Sequence, residues 1–140
     1  MKLTLKKSNS HWVKGTEGEE FFIDYPTREQ EQFLQGIVFG DEYSGMDKAL
    51  KFAQYFLKFT IKDWKGIKDE DSKEIKCLVK DNELDTDLWW ALVRDTKQAF
   101  DLYFIFEKEL EFTINDKKKL SSQQSSNKEG ISQETEKNTQ

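Results

Sequence analysis

The sequence predicts a small single α+β domain, and three features carry that expectation. Short stretches near the N-terminus alternate apolar and polar residues. Longer stretches repeat apolar residues at helical spacing. An aromatic-rich body then gives way to a polar tail. The chain has 140 residues, enough for one modest core.

Leu3 and Leu5 alternate with polar neighbours, as one face of a short strand would. Gly15 and Gly18 flank a turn, and Glu20 to Tyr25 reads as the next strand, stopped by Pro26. Thr27 and Gln30 have capping-box spacing and open a helix over 27–39 that buries Phe33, Leu34, Ile37 and Val38 before Gly40 ends it. A second stripe of Met46, Ala49, Leu50, Ala53, Phe56 and Leu57 predicts a helix over 46–58.

Phe59 to Trp64 reads either as strand or as the end of that helix. Trp64 to Ile75 has a polar centre between short apolar flanks, which signals a hairpin somewhere in 59–79, although its tip lacks the usual Gly. Ile75, Cys77 and Val79 form the expected return strand. Asp85 and Asp87 suit the first turn of a long helix over 85–110. One stripe on it runs Leu88, Leu92, Ala99, Tyr103, Phe106 and Leu110, and a second runs Trp89, Val93, Phe100 and Phe104. A helix so apolar needs cover on every side, which points to a homo-oligomer or a partner. The competing reading makes Leu102 to Phe106 a buried strand.

All 19 aromatic residues lie at or before Phe112. Residues 1–114 therefore form the expected folded domain. Residues 115–140, with only Leu120 and Ile131 as large apolar groups, are expected to be a disordered tail. The tail's five lysines against four acids leave −6 on the body, within a total of −5. An acidic body argues against a general nucleic-acid binder or an anionic-membrane binder, so neither is an expected partner. Lys117 to Lys119 read as a solvated exit from the fold. No apolar run approaches a membrane span, and the N-terminus does not read as a signal peptide.

The chemistry-bearing residues are few. One Cys allows no internal disulfide, and one His allows no His cluster. Asp69, Glu70 and Asp71 lack the alternation, central Gly and terminal Glu of a calcium loop, and read as a solvated turn. His11 reads as a surface strand residue and Cys77 as a buried, inert thiol. The segments GTEG and FGDEYSG lack the spacing and lysine of a phosphate loop. The expectation is a protein with no catalytic residue, metal or cofactor. The aromatics remain as candidates. Trp89 and Trp90 are adjacent on a helix and point about 100° apart, so one stripe cannot bury both. Trp64, Trp89, Trp90, Phe100 and Phe104 are the candidate partner-binding residues.

Four segments carry a family resemblance: DYPTREQ (24–30), FTIKDWKGIKDEDSKEI (59–75), ELDTDLWWALVRD (83–95) and ELEFTINDKKKL (109–120). Across most of residues 20–120 the chain resembles the tail assembly chaperones of long-tailed bacteriophages. Ser72 stands where the W-x-G block of that group commonly has Gly. The resemblance implies a non-enzymatic protein of the infected cell's cytoplasm, absent from the finished virion. Its partners would be the tape-measure protein, which it keeps soluble, and the tail-tube protein that displaces it. It also implies a longer product made by ribosomal slippage, for which Lys117 to Lys119 mark a candidate site. Two other classes stay open. A head–tail connector or tail terminator would share the small size, and an acidic inhibitor of a host enzyme would exploit the negative body. Lysines interspersed through every element disfavour the inhibitor.

Overall fold

The computed structural model describes residues 1–3, 5 and 7–111. Among them the chain forms an α+β domain with an N-terminal three-stranded antiparallel sheet and four helices. The expected polar tail and Lys117 to Lys119 lie outside the described residues.

Strands β1 (His11–Lys14), β2 (Glu20–Ile23) and β3 (Ile61–Lys65) make the sheet in the order β1-β2-β3. A turn closed by the Gly15 N–H donating to the Glu19 carbonyl joins β1 to β2. Gly18 takes φ +89°, the left-handed region that a residue with a Cβ resists. Val13, Phe21, Ile23, Ile61 and Trp64 point into the core, while Trp12 and Phe22 face outward under the Lys65 ammonium, 4.1 Å from the Trp12 ring centroid.

Helix α1 (Arg28–Phe39) opens with the expected capping box: the Gln30 N–H donates to Thr27 Oγ1, and the Thr27 N–H donates to Gln30 Oε1. Lys48 Nζ satisfies the carbonyls of Val38 and Gly40 at its far end, where a cation also suits the helix dipole. Leu34 and Ile37 are buried as expected, but Phe33 is about half exposed and Val38 only partly covered. Helix α2 (Gly45–Thr60) runs straight into β3, so Phe59 and Trp64 belong to different elements and both readings of that stretch hold in part. Met46, expected in the apolar stripe, is exposed.

Three expectations are corrected. Leu3 and Leu5 lie outside every strand and are exposed; the first strand begins at His11. The hairpin tip exists, with Lys68 bridged to Glu74, but Ile75 and Cys77 do not ladder with β3. Val79–Lys80 (β4) pairs instead with Glu83–Leu84 (β5). Asp81 and Asn82 between them both take positive φ, the type I′ geometry of a two-residue hairpin loop.

The long helix is two helices, α3 (Thr86–Val93) and α4 (Thr96–Leu110). Asp95 caps α4 by accepting from the Gln98 N–H. The Gln54 and Gln98 side-chain amides donate to the freed carbonyls of Val93 and Leu92. Side chains thus supply the partners that a helix end leaves missing. Leu102 to Phe106 is helical, which removes the strand alternative.

The core lies where the sheet's inner face meets α4 and α2. Phe21 meets Phe106 edge-on at 5.2 Å, and Tyr103 meets Phe52 and Phe56 at 5.8 and 5.2 Å.

Candidate functional site

Helix geometry separates the two adjacent tryptophans as their spacing predicts. Trp89 is buried and Trp90 is 49% exposed. Trp89 is also fixed: its indole N–H donates to the Gln54 carbonyl at 2.7 Å, and the Lys58 ammonium sits 4.8 Å from its ring centroid. Lys58 in turn meets Glu83 at 3.6 Å. A largely covered lysine between a ring face and a carboxylate favours one position for both partners.

From Trp89 a chain of rings crosses three helices. Tyr55 on α2 lies 5.0 Å from Trp89, Phe33 on α1 lies 4.9 Å from Tyr55, and Phe59 meets both Phe33 and Tyr55. Trp90 continues the series 6.3 Å beyond Trp89. Phe59 and Trp89 form the buried floor, and Phe33 and Trp90 are the exposed ends. An open groove of about 370 Å³ lies over the Phe33 end of this strip, lined by Phe33, Tyr55 and Phe59 with Glu29, Lys58 and Glu83.

The other sequence candidates fall elsewhere. Phe100 and Phe104 make a second, stacked pair on α4, with Phe104 exposed and Phe100 half-buried. Trp64 is buried edge-on against Phe21, and its indole N–H donates to the Ile75 carbonyl at 2.7 Å. Trp64 and Trp89 therefore hold structure and offer a partner little surface in this conformation. From sequence Phe33 was expected in the core of the first helix, and Tyr55 and Phe59 were not among the partner-binding candidates. Their signal was available in the 3.6-residue period: Tyr55 and Phe59 are four apart on one helix face.

Three titratable groups among the described residues have clear environments. Burial, and then the Asp63 charge, push the Cys77 thiol up to about 12, so it stays protonated. Burial also raises the Tyr103 hydroxyl, which donates to Glu107. Burial would raise the Asp24 carboxyl, but bonds from Ser10, Asn9, Ser8 and Tyr25 outweigh it and hold the group below its ordinary value. Asp69 accepts from the N–H groups of Asp71 and Lys73, which organises the hairpin tip. Among the described residues no group of three or more His, Cys, Asp or Glu side chains is placed to hold a metal. No helix among them is long and apolar enough to cross a membrane. The chain matches no family model, no curated protein and no solved structure.

Proposed function

We propose that the protein is a non-enzymatic binding module that covers an apolar helical segment of another protein. Its concrete form is a phage tail assembly chaperone that keeps the tape-measure protein soluble in the host cytoplasm until tail-tube subunits replace it. The observation that carries the reading is the aromatic strip. Phe33 and Trp90 stand exposed on helices whose neighbouring rings, Phe59 and Trp89, are packed into the core. Rigid exposed rings on a fixed floor lose little freedom on binding, which makes aromatics effective anchors. The groove beside Phe33, floored by Tyr55 and Phe59, suits the apolar ridge of a helix. The resemblance in the segments around Trp64 and Trp89–Trp90 supplies the identity of the partner.

Co-expression with the longest helix-rich open reading frame found just downstream of this gene tests this reading. The expected result is that the partner becomes soluble and co-purifies with the chain. A Phe33→Ala/Trp90→Ala variant that remains folded should lose that capture. A well-behaved protein that leaves the partner insoluble overturns the chaperone reading and directs the search to purified virions.

A further inference from the structure

The apolar stripe that opens with Leu88 and Leu92 is only partly covered, and it carries a surface distinct from the aromatic strip. Leu88, Ala91 and Leu92 recur at steps of three and four, so they share one face of α3. At about 100° per residue, that face lies on the side of the helix turned away from Trp90. Leu88 and Leu92 are half-buried there, and Ala91 is exposed. Ile67 and Ile75 of the 64–75 hairpin are also only half-buried. Between the hairpin and α3 lies a hollow of about 200 Å³, lined by buried Trp64 and by Ile67, Ile75, Leu88, Ala91 and Leu92. The Trp64 indole is fixed by its bond to the Ile75 carbonyl, so the hollow has a rigid wall.

A second hollow, of about 260 Å³, adjoins the first, since the two share Ile67, Lys68, Leu92 and Gln98. What it adds is Gly66 and the turn between β1 and β2, with Glu17 and Glu19. The Glu19 carboxylate is held in place: its Oε1 accepts the Glu17 N–H at 2.7 Å, and the group folds back over Gly15. A Cβ at Gly15 would stand 2.6 Å from the Glu19 carboxyl carbon, so glycine leaves the space this position needs. Glu74 is close as well, accepting the Gly66 N–H at 3.2 Å. Among the described residues Lys68 is the one cation that lines either hollow. Lys65 is drawn to the outer face of the sheet, over the Trp12 ring. Three carboxylates around one ammonium give this end a negative potential.

An apolar hollow beside a negative one selects a chemical pair. We propose that the two hollows dock a segment of another protein that carries an apolar side chain beside a lysine or arginine. The apolar group enters at Ala91, and the cation meets Glu17 and Glu19. Both hollows are open, so they suit side chains presented on a backbone; a small molecule needs most of its surface enclosed. Side chains two apart on an extended segment stand about 7 Å from one another, and those four apart on a helix about 6 Å. Either spacing serves adjoining hollows. Apolar burial supplies the affinity, and the rim charge sets which segment is accepted and in which direction.

Titration of the isotope-labelled full chain with the peptide acetyl-Ser-Leu-Ser-Arg-Ser-amide, followed by amide NMR shifts, tests the proposal. The expected result is saturable, millimolar binding with shifts centred on Gly66, Ile67, Ala91 and Leu92. The counterpart with Glu in place of Arg should bind about fivefold more weakly, since it exchanges a rim ion pair for repulsion. Glu17→Lys, at an exposed side chain, should erase that preference. Ala91→Phe fills the hollow from an exposed position and should weaken both peptides roughly tenfold. Equal affinity for the two peptides in the parent chain overturns the proposal. Shifts that do not saturate, or that centre on Phe33 and Trp90, overturn it too. Neither variant touches the aromatic strip, so partner capture reports separately.

Discussion

The indole N–H of Trp89 reaches the backbone carbonyl of Gln54 at 2.7 Å, and this bond joins the third helix to the second. Because Trp89 is committed inward, its neighbour Trp90 must face out, a consequence of the 100° step between successive helical residues. Gln54 is tied in both directions, since its side-chain amide also donates to the Val93 carbonyl at 3.1 Å. One buried residue thus fixes both the tilt of α3 and the place where it stops. Exposed Trp90, next to Trp89 on α3, is placed by that pair.

The two tryptophans should separate cleanly by mutation. Trp89→Ala removes a buried ring, the ring contact to Tyr55 and the face over which Lys58 sits, and should cost about 3–5 kcal/mol. Trp90→Ala should stay within about 1 kcal/mol of the parent, because its ring is half in water. Urea unfolding of both variants measures this. Equal losses would mean that Trp90 packs as part of the core.

Asp24 should govern the order of the segment before β1 in a pH-dependent way. Its carboxyl lies below the ordinary value of about 4. A depressed acid contributes its stabilisation above the unfolded-state value and loses it as pH falls through the folded-state value. Amide exchange at Asn9, protected at pH 6 by its bond to Asp24, should therefore accelerate relative to the core as pH drops below about 4. Asp24→Asn should show faster Asn9 exchange already at pH 6.

Cys77 should be nearly inert. Its folded-state thiol ionises near 12, against about 8.5 for a free cysteine, so thiolate at pH 8 is scarce. Reaction with a thiol-directed disulfide reagent at pH 8 should run at least tenfold faster in denaturant than in the native state. A fast native reaction would show that the hairpin-side chain around Ile75 and Val79 opens readily.

What the sequence made legible was whatever rests on local chemistry. The Thr27/Gln30 box, the stripe of α2 and the divergent directions of Trp89 and Trp90 follow from spacing alone. The break at Asp95 was also locally encoded, by Asp95 and Gln98 at capping distance, but the continuous apolar stripes from Leu88 to Leu110 masked it. The pairing of β4 with β5 was harder, because two-residue strands carry no period and Asp81-Asn82 is a weaker turn signal than Asn-Gly. The strip itself could not be read from sequence. It joins Phe33, Tyr55 and Trp89 across three helices, and only packing decides which faces meet.

Ser72 gives the last prediction. Its φ of +61° places a residue with a Cβ in the left-handed region, where the side chain crowds the following carbonyl at a cost of roughly 1 kcal/mol. The turn holds it there with bonds from the N–H groups of Ser72 to the Asp69 carbonyl and of Asp69 to the Lys73 carbonyl. Its side chain is exposed, so glycine would remove the crowding without opening a cavity. Against that gain, glycine adds freedom to the unfolded chain, a loss of up to about 1 kcal/mol. Relief of the left-handed conformation should dominate, because serine lacks the local side-chain compensation that asparagine finds at such φ. Ser72→Gly should therefore raise stability by about 0.5 kcal/mol, read as a higher urea midpoint at constant slope. A lower midpoint would mean that the serine hydroxyl supports the tip in a way that outweighs its backbone strain.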